Sequence, residues 1–219
     1  MKLQLSYPLS PFRVNQPFGV NGAYYRANGI NIKGHNGIDL HAFHGQPVYA
    51  SHDGVAFYQT DSNQGHGVVI LTNQPYDYIG GLSFFKTLYW HFADPSATYP
   101  QLIQNGDKVV RGQQIGWADN TGLSSGDHVH FGLKPITNGK SPKYGDAPDV
   151  NIGNWVNQEP DNGYLGAIDP TPYWDGTYAG DKPTTVSYEE ALVNVMKTNE
   201  SQSFKTQVIN ILKGLFHRK

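Results

Sequence analysis

Eight of the nine histidines fall between residues 35 and 130, and four of those lie in short patterns that suit metal binding or proton transfer. Asp127-His128-Val129-His130-Phe131 alternates polar and apolar residues. That alternation predicts a strand with His128 and His130 on one face and Val129 and Phe131 on the other. Two neighbouring imidazoles are expensive to bury unpaired, so their face either borders a solvent cleft or meets a ligand. In Gly34-His35-Asn36-Gly37-Ile38-Asp39, two glycines and β-branched Ile38 disfavour a helix. A turn running into a strand then brings His35 and Asp39 together, although alone such a pair is no more than two polar surface residues. Leu88-Tyr89-Trp90-His91-Phe92 also alternates, predicting Tyr89 and His91 on one face and Leu88, Trp90 and Phe92 on a buried apolar one.

Combined, these segments supply His35, Asp39 and either His130 or His128 as two neutral imidazoles and a carboxylate, a donor set suited to tetrahedral Zn2+. Closed structural zinc sites take four protein ligands, whereas a two-His, one-Asp set leaves a position for water, whose pKa the metal lowers to about 7. The remaining histidines are then placed for proton transfer. His41, His44, His52 and His66 match no such pattern and are expected to be surface or loop residues.

The elements that must position these residues read as short strands. Alternating segments at Leu3–Tyr7, Gly37–His41, Val55–Thr60, Gly67–Thr72, Lys86–Phe92, Gln114–Ala118 and Asp127–Leu133 are separated by turn residues such as Asp53-Gly54 and Asn105-Gly106-Asp107. The expected fold is mainly β, an antiparallel sheet core with a groove. From Lys134 to about Lys182 periodicity is lost, which predicts a long irregular excursion anchored by Trp155, Tyr164, Tyr173 and Trp174. From Ser187 the spacing turns helical. Ser187 and Glu190 form a capping box, and Phe204, Val208, Ile211, Leu212 and Leu215 continue an apolar stripe. The domain boundaries read as 1–182 for the β domain, with a long loop insertion at 134–165, and 183–219 for an amphipathic helical tail. The tail offers a surface for a protein partner, and its stripe is met most simply by packing on protein rather than on a membrane.

Composition narrows the chemistry. With 219 residues the chain can bury a core without staples, and with no cysteine it has no thiol catalysis, thiolate zinc finger or iron–sulfur ligation. Any metal must therefore use His, Asp or Glu. Sixteen basic against 18 acidic residues give a net charge of −2, which lacks the positive surplus that nucleic acid requires. No apolar run approaches the roughly 20 residues that span a bilayer, and the N-terminal MKLQLSYPLSPF carries no secretion signal.

The motifs together resemble those of the lysostaphin/LytM-type zinc metallopeptidases, which cleave peptide bonds in bacterial peptidoglycan. GHNGIDLHAFHGQPVYASHDGVAFY resembles that family's HxxxD segment and its following steps. TLYWHF is similar to its Tyr-x-His strand, and NGDKVVRGQQIGWADNTGLSSGDHVHFGL to its closing series ending in HxH. The likeness runs from RVNQPFG to GAIDPTPYW, while the long segment after Lys134 and the tail depart from it. The resemblance implies a metallopeptidase core binding one Zn2+ ion through His35, Asp39 and His130, with His91 and His128 catalytic. It implies peptidoglycan peptides as substrate and action in the extracellular space, periplasm or cell wall. The missing secretion signal then points to trimming, an unusual export route or delivery by a phage. The alternative it leaves is a non-catalytic cell-wall-binding or hydrolase-activating protein on the same fold.

Overall fold

The computed structural model describes residues 1–138, 155–159 and 161–181. In chain order the elements begin with β1 (Leu5–Tyr7), β2 (Val14–Gln16), the short helix α1 (Gly22–Ala27), β3 (Ile38–His41), β4 (Pro47–Tyr49), β5 (Gly54–Asp61) and β6 (Gly65–Thr72). They continue with β7 (Tyr76–Tyr78), β8 (Gly81–Phe92), β9 (Asp107–Val109), β10 (Gln114–Trp117), β11 (His128–Asn138), β12 (Trp155–Asn157) and β13 (Trp174–Tyr178).

The main sheet runs β2-β3-β11-β8-β6-β5-β9, with all of these neighbours antiparallel. At its centre β11 pairs with β8, from His130 opposite Trp90 to Ile136 opposite Phe84. Both faces of this centre are buried. Ile38, Leu40, Val68, Ile70, Phe85, Tyr89, Val129, Phe131 and Leu133 belong to the main core, while Val69, Leu71, Leu88, Trp90 and Ile136 form a second apolar cluster. Period-two geometry separates the two sets, and it sends Val129 and Phe131 inward while His128 and His130 face the other way. Fully burying a side chain of this kind contributes roughly 1.5–3 kcal/mol, so the positions of the two histidines are fixed by their apolar neighbours.

The closing segment is pinned by aromatic packing. β13 pairs parallel with β1, and Trp174 lies 5.3 Å from Phe12, 5.4 Å from Tyr7 and 4.8 Å from Phe131, ring centre to ring centre. Tyr164 packs on Phe18 at 4.6 Å.

Three sequence expectations need correction here. The strand expected to end at Leu133 runs on to Asn138, and β12 returns along it with Ile136 opposite Asn157, so the expected irregular excursion opens in paired strand and contains a second strand. Residues 139–154 and the expected helical tail at 183–219 lie outside the described residues. The alternation in β8 also fails at its end. Tyr89 joins the main core together with Phe92, because a bulge opposite His66 and Gly67 inserts His91 as an extra residue with φ of 67°. Finally, His52 is not a surface residue. It is buried, with Nδ1–H donating to Asp53 O at 2.8 Å and Nε2 2.9 Å from Thr87 Oγ1. His41 and His66 are strand residues, each partly exposed, and His44 is exposed as expected.

Among the described residues no helix is long and apolar enough to cross a membrane.

Candidate metal centre

Asp39 on β3 and His130 on β11 are directly opposite in the antiparallel register, as are His41 and His128 one step along. Directly paired residues on one face bring their side chains within reach of each other. His35 joins them from the turn before β3, which is held by backbone bonds from Gly19 N to His35 O and from His35 N to Val20 O, both 2.8 Å. Gly37 makes the approach possible, since a Cβ there would lie 2.5 Å from Phe131 O and 2.7 Å from the His130 ring.

Three potential ligand atoms converge. His35 Nε2 is 2.9 Å from His130 Nδ1, and Asp39 Oδ1 is 3.1 Å from each of them. Four ligands around a tetrahedral zinc at about 2.0–2.1 Å stand roughly 3.3–3.4 Å apart, so this triangle has nearly the right edge length. The chemistry of the atoms also fits. His35 Nδ1–H donates to Pro17 O at 3.2 Å, which leaves a lone pair on Nε2. Two imidazole nitrogens and a carboxylate oxygen this close repel one another unless a proton or a cation lies among them. In the absence of an ion the single proton of neutral His130, on Nδ1, fills that place; a divalent cation would take it over, with the His130 proton then on Nε2. Burial works against the charge on Asp39, but its contacts with His130 and His35 outweigh it and hold the carboxyl well below the usual carboxylate range. Burial likewise pushes the His130 imidazole down, against the pull of Asp39.

Two further imidazoles rim the triangle. His128 Nδ1–H donates to Gly126 O at 2.8 Å, and its Nε2 lies 3.6 Å from Asp39 Oδ1. His91 Nδ1–H donates to Thr121 O at 2.7 Å, and its ring centre is 4.5 Å from that of His128. A carbonyl can only accept, so in both residues Nδ1 carries the proton and Nε2 offers a lone pair. Burial pushes His91 down to about 4, with neighbouring His128 and His130 acting in the same direction. The left-handed backbone of His91 costs about 1 kcal/mol. It is held by bonds from Asp119 N to His91 O at 2.9 Å and from His91 N to Gln64 O at 3.3 Å. All five residues singled out in the sequence therefore meet in one place.

Tyr25 on α1 was not singled out. Its ring stacks on His35 at 6.1 Å and 9°, and its hydroxyl accepts from Gln16 Nε2 at 2.7 Å. Burial and then the charge of Asp39 push its phenol up to about 12, so it remains a donor at neutral pH. The only signal in the sequence was a pair of tyrosines ahead of the glycine-rich turn. A second group, His44, Asp119 and Asp127, also has ligand atoms within 4.8 Å of one another, near the solvent side of His128. Its internal bonds, His44 Nδ1–H to Asp119 Oδ1 at 2.8 Å and His44 N–H to Asp127 Oδ2 at 3.1 Å, account for it as a clasp between two loops.

Residues 33–143 match the model of peptidase family M23, a span that includes all five converging residues. The chain is similar to the peptidoglycan DD-endopeptidase ShyA of Vibrio cholerae, 37% identical over 103 residues, covering 45% of this chain and 20% of that protein. It is also similar to a glycyl-glycine endopeptidase of Staphylococcus capitis, 27% identical over 196 residues, covering 86% of this chain and 44% of the relative. It thus spans less than half the length of either. Among solved structures, the antimicrobial peptidase lysostaphin from Staphylococcus simulans shares the fold, with a TM-score of 0.50 and 19% identity over 85% of this chain and 59% of that one. With its matched span covering half of its residues, the chain belongs to peptidase family M23.

Proposed function

We propose that the chain is a zinc-dependent endopeptidase that hydrolyses peptide bonds in bacterial peptidoglycan, in the stem peptide or the cross-bridge. The observation that carries this reading is the convergence of His35 Nε2, Asp39 Oδ1 and His130 Nδ1, with two imidazoles of fixed tautomer beside them. In this reading one Zn2+ ion is held by His35, Asp39 and His130. When bound, it supplies Lewis acidity, lowering the pKa of water and withdrawing charge from a scissile carbonyl.

The protein's own part is proton transfer and orientation. Nε2 of His91 or His128 takes the proton from attacking water, since both atoms carry lone pairs. The same Nε2, once protonated, gives that proton to the leaving amine. The Tyr25 hydroxyl, whose ring stacks on His35, is a donor available to the oxygen on which charge develops, and the other imidazole joins it only when its Nε2 is protonated as well; such donors act most strongly where water is excluded. The backbone bonds to Thr121 and Gly126 keep both rings from rotating out of this role.

Peptidoglycan as substrate is supported by the relatives named for peptidoglycan and glycyl-glycine hydrolysis. It places the site of action outside the cytoplasm, in the cell wall, periplasm or surrounding medium. The test is release of new amino groups from purified peptidoglycan with and without a zinc chelator. Chelator-sensitive release is expected. Stoichiometric zinc with no release from any wall type would overturn the hydrolase reading in favour of a binding or activating protein.

A further inference from the structure

The loop of residues 118–127, between β10 and β11, supplies bonds that fix both imidazoles of the proton-transfer pair. Its Thr121 and Gly126 carbonyls accept Nδ1–H of His91 and His128 at 2.7 and 2.8 Å. Its Asp119 bridges the two backbones: the N–H donates to His91 O at 2.9 Å, and the carbonyl accepts from His128 N–H at 3.1 Å. The placement of this loop therefore sets where the two Nε2 lone pairs point. Its middle is tied to the β5–β6 hairpin, with Leu123 N–H donating to Asn63 O at 2.7 Å and His66 N–H to Thr121 Oγ1 at 3.1 Å.

Its two ends are gripped by one residue, His44, in the connection between β3 and β4. His44 Nδ1–H donates to Asp119 Oδ1 at 2.8 Å, and His44 N–H donates to Asp127 Oδ2 at 3.1 Å. The first contact falls on the residue that bridges the two backbones, and the second on the residue preceding His128. His44 can do this because its own segment is fixed. Gly45 N–H donates to Ala118 O and Ala118 N–H to Gln46 O, both at 2.8 Å. The Tyr99 ring stands edge-on to the His44 imidazole at 5.1 Å and 85°. Side-chain exposure is 53% for His44 and 16% for Asp119, so the imidazole caps a carboxylate that is mostly covered. Nδ1–H donates whether or not Nε2 also carries a proton, so the grip exists in both charge states of the imidazole.

We propose that His44 is a positioning residue for hydrolysis, holding both ends of the loop that orients His91 and His128. The proposal rests on the endopeptidase reading for the role of those two imidazoles, but amide exchange tests the grip without any hydrolysis. His44→Ala removes the side-chain bond and keeps the backbone one, while His44→Asn returns an N–H donor to the place of Nδ1. At equal zinc occupancy, His44→Ala is expected to lower kcat on soluble wall fragments about fivefold, the upper end for one exposed charged contact, and to leave KM unchanged. His44→Asn is expected to recover most of that loss. Hydrogen exchange of the Asp119 and His128 amides in the zinc-loaded protein is expected to quicken about fivefold in His44→Ala and to slow again in His44→Asn. Unchanged exchange in His44→Ala, a rise in KM at constant kcat, or no recovery in His44→Asn overturns the positioning role. Absence of hydrolysis by the wild-type protein would remove the endopeptidase reading alone, and the exchange rates would still decide whether His44 holds the loop.

Discussion

Gly37→Ala changes one methyl group, and the structure fixes what that methyl meets. The new Cβ would stand 2.5 Å from Phe131 O and 2.7 Å from Cε1 and Nε2 of His130, against an ordinary contact distance of at least 3.4 Å. Relief therefore requires a movement of about 0.7 Å at the ring or about 0.9 Å at the backbone, by subtraction of those contacts. Ligand positions are tolerated within about 0.2 Å in a metal site, so a ring displaced by this much no longer presents Nδ1 correctly. Overpacking of this kind costs roughly 1–3 kcal/mol of stability, and disturbing a ligand's support costs about 10–100-fold in metal affinity. A competitive chelator titration reads the affinity, and thermal unfolding of the metal-free protein reads the stability, with a fall of roughly 3–10 °C expected. Zinc affinity within twofold of wild type together with an unchanged Tm would refute the claim that Gly37 sets the approach of His130.

Other perturbations probe separate parts of the account. His52 is buried and pushed down to about 4 from 6.5, so the unfolded chain binds the proton more readily. Its contribution is complete above pH 6.5 and is lost as pH falls toward 4, by roughly 3 kcal/mol in all. In urea unfolding of metal-free protein, His52→Gln is expected to lose that share of the acid dependence; a wild-type and variant difference constant from pH 7 to 4 contradicts it. Tyr25→Phe is expected to retain zinc and lower the rate of wall hydrolysis about tenfold or more through loss of a donor beside the site, read as kcat at full zinc occupancy. Phe131→Ala empties the core directly behind His130 and is expected to cost about 3–5 kcal/mol in denaturant unfolding.

Much of the site was legible because its geometry follows from local rules. The alternation of Val129 and Phe131 with His128 and His130 needs only strand periodicity, and the glycine-rich turn before Asp39 limits where His35 can lie. What was not legible arises between distant segments. The left-handed bulge at His91 exists because β6 and β8 pair with an offset and because Asp119 and Gln64 bond to its backbone; no property of Leu88-Tyr89-Trp90-His91-Phe92 alone announces it. His52 looked like a turn residue beside Asp53-Gly54, yet Thr87 on a strand far along the chain receives it in the interior. Strands of three residues, such as β2, β4, β7 and β12, are too short to display a period, and β12 is recognised only by its partner β11.

The central claim divides five residues into three that hold a metal and two that move protons. Zinc content and wall hydrolysis measured on the same preparations of His35→Ala, His91→Ala and His128→Ala test that division. The account predicts that His35→Ala loses both zinc and hydrolysis, while His91→Ala and His128→Ala keep stoichiometric zinc and lose hydrolysis. An active His91→Ala or His128→Ala protein, or a His35→Ala protein that binds zinc as tightly as wild type, would contradict it.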